Sequence, residues 1–128
     1  MLGELIGEFK GKNPVYRVLG NGKIETSGQG IGKILGIDAY VVSTSVGTMQ
    51  NGLFVGEVNS VITIASGESV ILRGNAVGYP TGDGGATRAA SIQATTSEKL
   101  MRLNRVVALH EYQTDMADNW TGKIWEWK

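Results

Sequence analysis

The chain has 128 residues, no cysteine, and 12 acidic and 12 basic side chains, so its formal net charge is zero. That excludes disulfides, thiolate metal sites and a cysteine nucleophile. It also gives no long-range pull toward nucleic acid or anionic lipid, and no charge repulsion against self-association.

The length fits one domain, 1–128, large enough to bury a core without staples. No apolar run is long enough for a membrane-spanning helix. The start Met1-Leu2-Gly3-Glu4 lacks the basic head of an export signal, which makes a cytoplasmic protein the expectation. Nineteen glycines against two prolines is about twice the ordinary glycine frequency of roughly 7%. Spread along the chain, such glycines suit tight turns and strands that bend or approach closely.

Short β-like runs separated by turn dipeptides dominate the pattern. Leu2 to Lys10 sets Leu5, Gly7 and Phe9 on one face and Glu4, Glu8 and Lys10 on the other, with Ile6 breaking the alternation. Val15 to Leu19 follows, then Asn21-Gly22, a dipeptide that tolerates the positive φ of a type I′ hairpin, then Lys23 to Gln29. Ile34 to Thr48 is uncharged on most of both faces. Asn51-Gly52 is a second hairpin signal, and Leu53 to Ile64 alternates Phe54, Val58, Ile62 and Ile64 against Glu57, Asn59 and Thr63.

Ser66-Gly67-Glu68 turns the chain into Val70 to Tyr79. Pro80 to Gly85 is the clearest loop, and Ala86 to Thr96 is a strand of small residues. Ser97 to Leu103 can form one or two helical turns capped by Ser97. Val106 to Met116 and Trp120 to Trp127 complete eight or nine strands. The fold expected is all-β, a single closed antiparallel β-barrel of about eight strands, because glycine inside strands favours closure and the terminal strands can pair. A two-sheet β-sandwich is the alternative.

Phosphate-loop readings of Gly28-Gln29-Gly30-Ile31-Gly32-Lys33 fail. Ser27 stands where a Walker loop needs glycine, Ile34 where it needs Ser or Thr, and Lys33 where the dinucleotide pattern needs its third glycine. His110-Glu111 begins like a zincin motif, but Thr114 replaces the second histidine. With one histidine and no cysteine, neither a metal nor a cofactor is expected.

His110 shares strand parity with Val106, Ala108 and Tyr112, which turns it inward, either as a hydrogen-bonded core histidine or as a general acid or base in a barrel mouth. Glu57 is a solvent-facing carboxylate if its face is outside, and a catalytic acid or ligand anchor if it lines a cavity. Arg73 is its potential cross-strand partner. All three tryptophans, Trp120, Trp125 and Trp127, fall in the last nine residues, placed to seal a barrel end or make a subunit contact. Only Lys123 and Lys128 lie near them, too few for nucleic-acid stacking.

The hairpin-linked strands, the stretch Gly28 to Gly36, the segment Gly52-Leu53-Phe54-Val55-Gly56-Glu57 and the later Arg73-Gly74-Asn75-Ala76-Val77-Gly78-Tyr79 resemble the calycin-like barrels of the allene oxide cyclase and dirigent group. The resemblance lies in style and spacing. It implies an eight-stranded barrel with a small apolar cavity, assembled as a dimer or trimer. Members of that group guide cyclisation or coupling of reactive hydrophobic molecules, and others have no known activity. No catalytic residue of the group carries over to a position here.

Three functions follow. The first is a barrel that binds a small hydrophobic ligand, with Phe54, Val58, Ile62 and Tyr112 as wall and His110 or Glu57 as polar anchor. The second is an isomerase or cyclase using the same cavity, in which Glu57 or His110 moves a proton. The third is a structural oligomer with a filled barrel and no site.

Overall fold

Turn chemistry sets the strand boundaries. The computed structural model describes residues 2–12 and 14–128. Within these, β1 (Leu2–Lys12), β2 (Val15–Val18), β3 (Ile24–Ile34), β4 (Ile37–Gln50), β5 (Leu53–Ile64), β6 (Ser69–Thr81), β7 (Gly84–Ala94), β8 (Val107–Asp115) and β9 (Asn119–Trp127) follow one another, with a 3₁₀ helix at Glu98–Arg105. Asn51 and Gly52 both take positive φ, 52° and 79°, as a type I′ turn requires.

Leu35 and Gly36 do the same, with φ of 50° and 77°. The β3–β4 turn therefore lies one residue beyond the point where the sequence suggested that a new strand begins. At the first hairpin only Gly22 has positive φ. The Leu19 N–H donates to Lys23 O (2.8 Å) and the Gly22 N–H to Leu19 O (3.0 Å), so the loop is a three-residue form rather than type I′.

Every neighbouring pair of strands is antiparallel. β1 pairs with β9 through registers such as Phe9↔Gly122, and with β3 through Gly7↔Ile34 and Phe9↔Gly32. This closes an eight-stranded barrel, and β2 sits outside the closed ring, paired only to the start of β3. The glycines of β3 belong to the closing seam. A side chain on Gly30 would lie 2.5 Å from Lys10 O, and one on Gly32 would overlap the Glu8 carbonyl. The pattern that mimics a phosphate loop thus lets β1 cross close to β3. Two register shifts in β1, on either side of Leu5, turn Ile6 inward along with Phe9, which explains the break in alternation at Ile6.

One end of the barrel is packed solid. Ile34, Ile62, Val70, Leu72, Ala108 and Ile124 fill it, and Leu100 and Leu103 of the 3₁₀ helix plug it. Burying each large aliphatic side chain there contributes roughly 1.5–3 kcal/mol. Polar ties hold the plug. Asn104 accepts from Thr95 N–H (2.8 Å) and donates to Thr95 O (3.0 Å), and Arg102 reaches both Glu4 and Glu126 at 2.8 Å. Ser97 occupies the capping position without capping the helix; its hydroxyl donates instead to Glu68 Oε1 (3.0 Å).

Candidate functional site

The other end is open because inward side chains shrink along β3, β4 and β6. On β3 the inward row runs from Ile34 through Gly32 and Gly30 to Gly28. On β4 it runs from Val41 to Ser43 and Ser45, and on β6 from Val70 and Leu72 to Gly74, Ala76 and Gly78. Beyond Lys12 the wall also loosens, since β2 pairs with β3 over Val15↔Ser27 to Val18↔Ile24 and, among the described residues, with no other strand.

The result is a cavity of about 500 Å³. Rings of Tyr16, Phe54, Tyr79, Tyr112 and Trp120 line it, with Val58 among the apolar wall residues. Hydroxyls of Thr26, Ser43, Ser45, Thr87 and Thr114 are spaced among them. Among the described residues no Asp, Glu, Lys, Arg or His contributes to the lining.

Trp120 sits on glycines. Gly28 and Gly30 of β3 and Gly11 of β1 lie under its indole, and any Cβ at Gly11 or Gly30 would collide with the ring. Its Nε1 is buried over Gly11 and, among the described residues, meets no acceptor. Tyr112 packs edge-on against Trp120, ring centres 6.3 Å apart, and lies over Gly122.

Behind Tyr112 runs a chain of buried polar groups. Tyr112 Oη is 2.9 Å from His110 Nδ1, and His110 Nε2 is 2.6 Å from Ser91 Oγ. Ser91 Oγ in turn lies 2.6 Å from the Gln93 amide. Of the two Gln93 amide orientations, only one gives complementary partners at both ends. It points Nε2 at Val106 O (2.8 Å) and Leu103 O (3.2 Å) and sets Oε1 against Ser91. The register Ala89↔His110 and Ser91↔Ala108 brings these groups together from β7 and β8.

His110 is 2% exposed, and desolvation pulls its pKa down to about 4, so the imidazole is neutral at pH 7. Desolvation drives the Tyr112 phenol well above its ordinary value, so it too stays uncharged.

The structure brings together three of the residues singled out from sequence: Phe54, Val58 and Tyr112 line the mouth. Ile62 does not join them; it is 1% exposed in the packed end, two inward positions below Val58 on β5. His110 faces inward but stands behind Tyr112, outside the lining. Glu57 is on the outer wall of β5, opposite Asn75, in a shallow depression that Arg88 also borders. Strand alternation points it away from the cavity, so it anchors no ligand inside the barrel.

Arg73 lies opposite Asn59 and, among the described residues, forms no ion pair with Glu57. Sequence reasoning missed Ser91, Gln93 and the hydroxyl set. Thr114 could have been found, since it shares the parity of His110 and Tyr112, but Ser91 and Gln93 acquire meaning only once the β7–β8 register is known.

Fold and site together define a small antiparallel β-barrel, plugged at one end and open at the other onto an uncharged cavity. No protein-family model matches the chain, and no curated protein matches it in sequence. Solved structures share the fold. A conserved protein of unknown function from Rhodopseudomonas palustris aligns with a TM-score of 0.80 at 12% identity, over 98% of this chain and 97% of that one. A protein of unknown function from Clostridium acetobutylicum aligns at 0.78 and 10% identity, over 98% of both chains. A β-barrel-like protein from Acinetobacter baumannii aligns at 0.75 and 10% identity, over 100% of this chain and 96% of that one. At such identities the likeness is one of fold. Among the described residues no helix is long and apolar enough to cross a membrane.

Proposed function

We propose that the protein binds a small, uncharged, largely apolar molecule in the mouth of the barrel. The observation that carries this is the lining itself: about 500 Å³ walled by aromatic rings and hydroxyls with no charged side chain. That volume falls within the usual range for small-molecule sites, and aromatic walls with a few placed polar groups are their usual composition. An ionic ligand would find no counter-charge there and would lose its hydration. A filled structural barrel would need large inward residues at the mouth, where Gly28, Ala76 and Gly78 stand instead.

Native mass spectrometry of the freshly purified protein, set against its denatured mass, tests the reading. A small molecule released on denaturation supports it and gives the chemical class. Absence of released mass, together with no saturable binding of uncharged aromatic alcohols, would overturn it.

A second reading is the isomerase or cyclase chemistry guided by barrels of the allene oxide cyclase and dirigent kind. It draws support from the Tyr112 phenol hydrogen-bonded to His110, an acid–base pair at the cavity wall. Under it, proton movement runs through Tyr112, because His110 reaches the cavity only through that hydroxyl. Release of the bound compound in isomerised form would favour this second reading.

A further inference from the structure

The polarity of the buried hydrogen-bond chain is fixed from the plugged end, and it decides what the open end can recognise. Gln93 Nε2 faces two backbone carbonyls, Val106 O at 2.8 Å and Leu103 O at 3.2 Å, and carbonyls only accept. Its Oε1 therefore faces Ser91, and the Ser91 hydroxyl must donate to it. With its single proton committed, Ser91 Oγ can only accept from His110 Nε2, which makes Nε2 the protonated nitrogen. The neutral imidazole then has only a lone pair at Nδ1, and the Tyr112 hydroxyl must donate there. The reverse chain would turn Gln93 Oε1 toward two carbonyl oxygens, with no proton between them.

Tyr112 thus reaches the cavity wall with its one proton spent, and its oxygen keeps only acceptor capacity. We infer that the mouth selects ligands carrying a hydrogen-bond donor, an alcohol or phenol on an apolar body, over otherwise similar ethers and ketones, with Tyr112 Oη as the acceptor. This deepens the proposed binding function and rests on it. The hydroxyls of Thr26 and Ser45 rotate to donate or accept and do not discriminate, whereas Tyr112 is held in one sense by four successive partners.

Two measurements test the inference. First, 4-tert-butylphenol and 4-tert-butylanisole, which differ in the donor and little in shape, are titrated against the protein by tryptophan fluorescence and calorimetry. The phenol is expected to bind about tenfold more tightly, the equivalent of one net hydrogen bond. In Tyr112→Phe the preference should fall to within about twofold. Equal affinity of both probes for the wild-type protein would overturn the donor rule and leave the binding function standing. Saturation by neither probe, together with no small molecule released in the native mass measurement, would overturn the binding function itself.

Second, because His110 is the only histidine, ¹⁵N spectra of the unmodified protein report its tautomer without assignment ambiguity and without any variant that must fold. An Nε2–H tautomer at pH 7 is the expected result. An Nδ1–H tautomer would reverse the chain and overturn the inference.

Discussion

The plugged end and the mouth of this barrel are cut from the same strands, and the difference between them is side-chain volume. Along β5 the inward row passes from Ile64 and Ile62 through Ser60 to Val58, Gly56 and Phe54. Along β9 it passes from Ile124 to Gly122, with Trp120 laid over glycine neighbours. At the plugged end Leu100 and Leu103 complete a dry core. At the mouth the same hydrogen-bonded ladders enclose space instead. A barrel of eight strands is wide enough either to fill with side chains or to hold one small ligand, and here each outcome takes one half. The polar chain from Gln93 to Tyr112 lies between the two halves and links them.

The sharpest way to break this comparison is to damage the plug. Leu100 is fully buried, so Leu100→Ala should cost about 2–5 kcal/mol of unfolding free energy in denaturant titrations. Met49, which lines the mouth and is 54% exposed, should cost no more than about 0.5 kcal/mol when changed to Ala. Equal losses would mean that the mouth is as tightly packed as the plug.

The polar layer between the halves gives a pH signature. The unfolded chain takes up a proton at His110 below its ordinary pKa of 6.5, and the folded protein only near 4. Stability should therefore be complete above pH 6.5 and decline by a total of about 3 kcal/mol as the pH falls toward 4. Glu4, Glu68 and Asp115, whose carboxyls are held below their ordinary values by hydrogen bonds, add their losses at the acid end of that range and beyond. His110→Gln should flatten the slope between about pH 6.5 and 5, and an unchanged slope there would place the proton uptake elsewhere.

At the seam, Gly30→Ala should push Trp120 off its seat, costing about 1–3 kcal/mol and shifting the tryptophan emission. An unaltered emission spectrum would show that the indole does not depend on that glycine. The smallest effect is expected from Glu57→Gln, which alters the outer wall and should leave probe binding in the mouth unchanged by calorimetry. A loss of binding there would move the site to the outside of the barrel.

Much of the fold was legible because turns and alternation are local properties. Asn51-Gly52 marks a type I′ hairpin by its own φ preferences, and Leu53 to Ile64 states its inner and outer faces residue by residue. The Leu35-Gly36 turn was not legible, since leucine rarely adopts positive φ and the neighbouring glycines drew attention to the wrong place. Of the site, alternation put Phe54 with Val58 on one face of β5 and His110 with Tyr112 on one face of β8. It could not say that Ile62, on the same face as Val58, lies below the level at which packing closes, because depth along a barrel axis depends on which end carries the plug.

By itself the sequence determined the class of structure: strand period, hairpin spacing and glycine content leave an all-β chain little choice but to pair its strands and close. The tertiary structure alone decided the register. Setting Ala89 against His110 and Ser91 against Ala108 assembles one directed hydrogen-bond chain from Gln93, Ser91, His110 and Tyr112. Each residue's chemistry is fixed locally, but the direction of a proton along the chain depends on every partner at once. Those partners come from β7, β8 and the end of the 3₁₀ helix, and they meet only when β7 and β8 pair in that register around the helix.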